Sequence, residues 1–118
     1  MKTLSWNVRG LGKLRAIRLL SNKLREVRPH VMFLLETKIS SNKMQRVRRR
    51  CGFVNGFDVS AEGSRGGLSL GWTPNLNATI RPFSNTYIDV DFLDTDSNTT
   101  WRFTGFYGSP IDTNRNLS

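Results

Sequence analysis

The stretch Met1-Lys-Thr-Leu-Ser-Trp-Asn-Val-Arg-Gly-Leu11 sets the pattern around which the chain is organised. Apolar and polar residues alternate from Thr3 to Val8, which is the period of a strand with one apolar face. A Gly-Leu-Gly turn at 10–12 then ends the pattern. The stretch therefore predicts a first strand with Asn7 near its C-terminal end, next to a flexible turn.

A second stretch, Val31-Met-Phe-Leu-Leu35, is continuously apolar and is followed at once by Glu36. Such a run predicts a strand buried on both faces. A carboxylate at the mouth of a buried strand can bind a hard metal ion through oxygen. Asn7 can hold a ligand through its amide, or it can simply start a turn. The residues alone leave both interpretations of Asn7 open.

Composition bounds the kind of protein. The 118 residues suit one small domain or a piece of one, and 37% hydrophobic residues are enough for a core. Cys51 is the only cysteine, which excludes an internal disulfide and a Cys-rich zinc site. No signal-peptide pattern or membrane-spanning apolar stretch is present. We therefore expect an intracellular protein, cytosolic or nuclear, without a membrane partner.

The charge balance points to a polyanionic partner. The formal net charge is +9, from 18 Lys+Arg against 9 Asp+Glu, and the sequence pI is near 10.9. A domain this basic favours nucleic acid first and an anionic membrane surface second. The remaining alternative is that the charge only keeps the chain in solution.

Apolar residues at helical spacing predict two helices between and after the first strands. The first extends from Lys13 to Arg28, where Pro29 disfavours further helix. The second is capped by Ser40 or Ser41 and ends in a run of arginines before a glycine. Those arginines suit the negative end of the helix dipole, and phosphate contact is the alternative.

From Phe53 the pattern changes to short strands separated by turns. The glycine-rich stretch Ala61–Gly67 lacks the spacing and terminal lysine of a P-loop, so it predicts a turn. The predicted order is β-α-β-α followed by antiparallel strands. These strands are expected at 53–60, interrupted at Asn55-Gly56, and at 68–72, 78–83, 86–93 and 101–107.

Four short motifs follow one another along the chain. They are Ser-Trp-Asn-Val-Arg-Gly at 5–10, Phe-Leu-Leu-Glu-Thr-Lys at 33–38, Gly-Gly-Leu-Ser-Leu-Gly-Trp at 66–72, and Gly-Phe-Tyr-Gly-Ser-Pro at 105–110. Together they resemble the endonuclease/exonuclease/phosphatase superfamily, which has the DNase I-like fold. The form of the motifs is most similar to the apurinic-type endonuclease domain of plant LINE-type non-LTR retrotransposons.

The resemblance implies an α+β fold, the N-terminal half of a DNase I-like four-layer α/β sandwich. Residues 1–118 are then one truncated domain, in which 1–110 match the family and 111–118 form a mobile tail. We expect strands for about one sheet, whose inner face lacks a partner. The chain is then expected to form an oligomer or aggregate through that sheet, or to await a missing C-terminal half.

The resemblance also implies site residues. Asn7 matches an asparagine that positions the metal and the scissile phosphate, Glu36 matches the metal-binding glutamate, and Tyr107 matches a tyrosine that faces the phosphate. The implied cofactor is Mg²⁺ or Mn²⁺, and the implied partner is DNA. Weaker candidates for nucleic-acid contact are Arg9, Lys38, Arg46, Arg49 and Arg50.

The chain also departs from the family pattern. Many relatives carry an acidic residue two positions after the asparagine, where this chain has Arg9. The chain is expected to end before the catalytic Asp-x-Asn and Ser-Asp-His motifs and to be inactive alone. The function predicted is that of a metal-dependent DNA endonuclease of a retrotransposon. The alternatives are a non-catalytic basic nucleic-acid-binding remnant and a phosphatase of the same fold.

Overall fold

The computed structural model describes residues 1–107, which form two helices and seven strands. The elements are β1 (Thr3–Asn7), α1 (Leu14–Val27), β2 (Val31–Leu35), α2 (Ser41–Arg50), β3 (Asn55–Val59), β4 (Leu68–Trp72), β5 (Leu76–Ile80), β6 (Tyr87–Asp94) and β7 (Thr99–Phe106). The predicted α+β class and element order are confirmed. The expected tail and the last three residues of the fourth motif lie outside the described residues.

The first sheet has the strand order β1-β2-β4-β3, with β1 and β2 parallel and the other neighbours antiparallel. α1 makes the crossover that a parallel pair requires. Met32 and Leu34 of β2 pack with the helices, while Val31 and Phe33 pack with the second sheet. The prediction of a strand buried on both faces is confirmed.

Both described helices pack on the outer face of the first sheet. Leu20 and Leu24 of α1 are buried there, as are Met44 and Val47 of α2. Ser40 caps α2, because its hydroxyl accepts a hydrogen bond from Lys43 N at 3.2 Å. Within residues 1–107, no helix has the length and apolarity needed to cross a bilayer.

Strands β5, β6 and β7 form a separate antiparallel sheet that packs face to face on the first. Ile88, Val90 and Phe92 of β6 lie in the same buried cluster as Val31 and Phe33 of β2. The expectation of about one sheet with an unpartnered, exposed apolar inner face is therefore wrong. The described residues supply three layers of the expected sandwich: helices, first sheet and second sheet.

The chain changes sheets at the turn Thr73-Pro-Asn75. Leu76 N donates to Thr73 O at 3.1 Å, and the Thr73 hydroxyl donates to Asn75 Oδ1 at 2.6 Å. This turn directs β5 across the sandwich instead of back along β4. Within the described residues, β1 and β3 are the edge strands of the first sheet, and β5 and β7 are those of the second. Association through an open edge therefore stays a prediction.

Arg48, one of the arginines at the end of α2, is buried, with only 3% of its surface exposed. Its guanidinium pairs with Asp58 on β3 at 3.0 Å and donates to the carbonyl oxygens of Phe53 and Val54 at 2.8 and 2.9 Å. The Ser69 hydroxyl on β4 also donates to Asp58, at 2.7 Å. This network fixes the end of α2 to two strands, so Arg48 serves the fold and does not contact a polyanion.

We expect Arg48→Leu to lower the free energy of unfolding by about 3–5 kcal/mol, because it leaves the buried Asp58 carboxylate without its partner. The matched control is Arg49→Leu, which removes the same charge from the exposed neighbouring position. That change should stay within about 0.5 kcal/mol. Urea denaturation measures both, and equal losses would contradict the role given to Arg48.

Candidate metal and phosphate site

Three strand ends meet at one edge of the sandwich. β1 and β2 run parallel with Asn7 opposite Leu35, so their C-terminal ends lie side by side. Glu36 is the first residue after β2, and Tyr107 is the first residue after β7. Tyr107 Oη donates to Glu36 Oε1 at 3.0 Å, across 71 residues of sequence. The fold thus brings together the three residues singled out for metal and phosphate.

The backbone of Glu36 is held from the side of β1. Val8 N donates to Leu35 O at 3.0 Å, and Gly10 N donates to Glu36 O at 2.8 Å. These bonds continue the pairing of β1 and β2 beyond the strand ends. Glu36 itself has φ 54°, in the left-handed region, which is unfavourable for a residue with a side chain. The flanking hydrogen bonds keep it in that conformation.

The glycine-rich stretch holds the site from the other side. Thr37 N donates to Gly67 O at 3.2 Å, and Lys38 N donates to Gly66 O at 2.8 Å. Gly67 has φ +92°, and a Cβ atom there would collide with Thr37 Oγ1. The stretch was predicted as a turn only, and its part in the site was missed. The available indication was a pair of glycines directly before an apolar strand.

Hydrogen bonding sets the protonation state of the pair. The pKa of Glu36 is lowered, first by the side-chain amide of Asn7 and next by the Tyr107 hydroxyl, with smaller contributions from Lys38 and Arg9. The pKa of Tyr107 is raised, chiefly because its hydroxyl donates to Glu36. At neutral pH the site therefore presents an ionised carboxylate beside a protonated phenol.

The five basic candidates divide into two groups. Arg9 and Lys38 lie near enough to act electrostatically on Glu36. Arg49 and Arg50 occupy the last turn of α2, about 12–14 Å along the helix from its first residue. The chain then enters β3 opposite Trp72, which also pairs with the start of β2, away from Glu36. Arg46, on the exposed surface of α2, is likewise not brought into the site.

The donor set fits a hard divalent cation in part. Within residues 1–107 no group of three or more His, Cys, Asp or Glu side chains could hold a metal. The site offers the Glu36 carboxylate and the Asn7 amide oxygen, which already accepts from Arg9 N at 3.1 Å. Mg²⁺ commonly takes only one or two carboxylates and fills its remaining positions with water and substrate phosphate. Glu36 and Asn7 suit that mode of binding.

The three-residue pattern Asp-x-Asn does occur in this chain, contrary to the expectation. Asp96-Ser-Asn98 forms the turn between β6 and β7. That turn follows the pair Asp94–Thr99, whereas Tyr87 pairs with Phe106 at the other end of the hairpin, next to the site. The turn cannot supply a group to Glu36. A second instance, at 112–114, lies outside the described residues.

We expect Gly67→Ala to lower the free energy of unfolding by about 1–3 kcal/mol more than Gly63→Ala, because only the former collides with Thr37. The two glycines are matched, since both have positive φ and Gly63 has open space around it. Thermal unfolding of the two variants measures the difference. Equal stability would show that Thr37 has room to move away.

The contact between Glu36 and Tyr107 predicts reciprocal pKa changes. Tyr107→Phe should raise the pKa of Glu36, because the carboxylate loses a donor, and Glu36→Gln should lower the pKa of Tyr107. Carboxyl-carbon NMR reports the first, and phenolate absorbance in a Tyr87→Phe background reports the second. Because the folded pKa of Glu36 lies below its ordinary 4.5, ionised Glu36 stabilises the fold above that pH. This contribution to stability is lost as the pH falls through the pKa that Glu36 has in the folded protein. Unchanged pKa values of Glu36 and Tyr107 in the two variants would refute the contact.

Known structures share this fold. AP endonuclease LMAP from Leishmania major has a TM-score of 0.69 at 15% identity, with 92% of this chain covering 40% of that one. The catalytic domain of Xenopus laevis APE2 has a TM-score of 0.61 at 15% identity, and the match covers 99% of this chain and 49% of that one. A humanized Danio rerio TDP2 has a TM-score of 0.54 at 19% identity, and the match covers 88% of this chain and 48% of that one. The chain thus spans less than half the length of these structures.

No curated protein sequence matches this chain closely enough to count as a relative. The sequence profile of the endonuclease/exonuclease/phosphatase family matches residues 4–100. This match includes β1, β2 and Glu36, and it covers most of the 118 residues. The chain therefore belongs to the endonuclease/exonuclease/phosphatase family.

Proposed function

We propose that this chain is the metal-binding part of a divalent-metal-dependent DNA endonuclease that hydrolyses phosphodiester bonds. The observation that carries the proposal is the hydrogen bond from Tyr107 to Glu36, which joins the two sheets beside Asn7. An ionised carboxylate, an amide and a phenol at one strand edge suit an ion and a phosphate together. The AP endonuclease with the same fold supports DNA as the substrate.

Each residue has a distinct part in this proposal. Glu36 and Asn7 would hold Mg²⁺ or Mn²⁺, which would supply polarisation of a phosphoryl oxygen when bound. Tyr107 keeps its proton because its hydroxyl donates to Glu36, so the group beside the phosphate is a neutral phenol and not a phenolate. Arg9 and Lys38 add positive charge at the same edge and favour the phosphodiester anion. Bound DNA would be oriented by these contacts.

We propose that these groups alone do not support turnover. Ser-Asp-His does not occur in the 118 residues, and Asp96-Ser-Asn98 lies at the wrong end of its hairpin. Attack on phosphorus also needs a positioned nucleophile and stabilisation of the leaving oxygen. Loss of one general base lowers the rate by about 10²–10⁴, and loss of a phosphate clamp lowers it further.

A C-terminal half is the proposed source of the missing groups. The family structures are more than twice as long as the part this chain covers. β1 and β7 each leave one edge unpaired within the described residues, and a groove beside them is lined by Phe33, Phe103 and Phe106. Additional strands could pair with these edges and cover the groove.

Two other functions are less well supported. A non-catalytic nucleic-acid-binding remnant is favoured by the net charge of +9 together with the absence of a Ser-Asp-His motif from the sequence. A phosphatase of a small substrate needs only a local basic pocket, so the overall charge favours it less. Retrotransposon origin rests on the form of the four motifs at 5–10, 33–38, 66–72 and 105–110, which resembles the plant LINE-type branch.

The decisive experiment is a plasmid-nicking assay with Mg²⁺. We expect the 118 residues alone to show no measurable nicking of supercoiled plasmid. We expect nicking when a C-terminal half from a family member is added in trans, because that half supplies the absent base and clamp. Product is measured as the ratio of open-circular to supercoiled DNA.

The matched control is Glu36→Ala, tested alone and with the added half. Activity that appears only on complementation and disappears in Glu36→Ala supports the endonuclease. Glu36-dependent nicking by the chain alone would show that the catalytic groups are misassigned. No nicking in any mixture, together with retained DNA binding, would favour the binding remnant.

A further inference from the structure

A cleft of about 250 Å³ opens beside Tyr107, next to the site already described. One wall is the glycine-rich stretch that holds Thr37 and Lys38, and the other wall is Asn85 with Thr86. Arg65 also lines this cleft, and nothing in the proposed chemistry uses it.

The walls of the cleft are tied to one another. Glu62 and Arg65 exchange two backbone hydrogen bonds, of 2.8 and 3.1 Å, which close a tight turn. The Asn85 side-chain amide donates to the Glu62 carboxylate and bridges the two walls. Tyr107 N donates to Thr86 O at 2.6 Å. The cleft is therefore preformed, and the backbone of Tyr107 is fixed against the Thr86 wall.

The Arg65 side chain is exposed and makes no ion pair or hydrogen bond to any described side chain within residues 1–107. Arg48, Arg81 and Arg102 pair with carboxylates, whereas Arg65 is among the described arginines that form no ion pair. Glu62, the acidic residue in the same turn, is engaged by Asn85 instead. The positive charge of Arg65 also reaches Tyr107, where it opposes the rise in the pKa of the phenol.

We propose that Arg65 contacts a backbone phosphate of bound nucleic acid, adjacent to the phosphate that faces Glu36 and Tyr107. The proposal rests on the proposed function and adds a second phosphate position to it. Arginine suits this task because its planar guanidinium can donate two parallel hydrogen bonds to phosphate oxygens. Successive phosphates of one strand are close, with about 3.4 Å of rise per nucleotide. A nucleic-acid strand that extends from Tyr107 along the cleft therefore passes Arg65.

The test measures the affinity of the full chain for a fluorescein-labelled 16-base-pair duplex by fluorescence anisotropy across a range of salt concentrations. Arg65→Gln is compared with Arg25→Gln, and each removes one positive charge. Arg25 is a suitable control because it is exposed in the last turn of α1, which leads to the start of β2, away from Glu36. Arg65→Lys keeps the charge but removes the planar guanidinium that can donate two parallel hydrogen bonds.

We expect Arg65→Gln to weaken binding at low salt by about tenfold and to reduce the salt slope by about 1. Arg25→Gln should change neither by a comparable amount, and Arg65→Lys should restore the slope but only part of the affinity. Thermal unfolding by circular dichroism should be unchanged in all three. This pattern would support a phosphate contact at Arg65.

Equal losses in Arg65→Gln and Arg25→Gln would overturn the proposal, because the effect would then be one of net charge. A loss of duplex affinity confined to Arg65→Gln, and reproduced in the unaltered chain by about 5 mM inorganic phosphate at constant ionic strength, would assign the cleft to free phosphate instead. Duplex binding that is unaffected by Arg65→Gln would overturn the proposal but leave the proposed function standing. No duplex binding by the unaltered chain would overturn both.

Discussion

Burial of β2 on both faces is the constraint on which the rest of this structure depends. Its residues Val31–Leu35 face helices on one side and a second sheet on the other, so both layers are needed to remove the strand from water. The strand can end only where polar groups reappear, and Glu36 is the first of them. The carboxylate therefore emerges from the core at a place set by the packing of the core itself.

The sequence predicted those parts of the fold whose cause is local. Alternation in β1 and β6, the continuous apolar run of β2 and the Ser40 cap each act within a few residues, and each was found where expected. The change of sheet at Thr73–Asn75 was missed because a turn shows where a chain reverses and not which layer it enters. The resulting error was the unpartnered sheet.

The site was predictable to a different extent. Asn7, Glu36 and Tyr107 were singled out by resemblance, and the fold places them together. Their roles stay predictions. Arg48 shows the limit of reading charge from sequence, because its neighbours in the same arginine run are exposed while it is buried against Asp58. Helical spacing alone does not reveal a buried carboxylate ten residues further on.

The order in which the layers are built has an electrostatic consequence. Residues 1–53, which include both helices, contain 14 Lys+Arg and 2 Asp+Glu, a net +12. Residues 54–107, which include the second sheet, contain 3 Lys+Arg and 6 Asp+Glu, a net −3. The molecule is thus a permanent electric dipole, and the field of a polyanion exerts a torque on it before any contact forms. Encounter complexes would be orientationally biased, with the helical layer leading, and this bias would fade as the ionic strength rises.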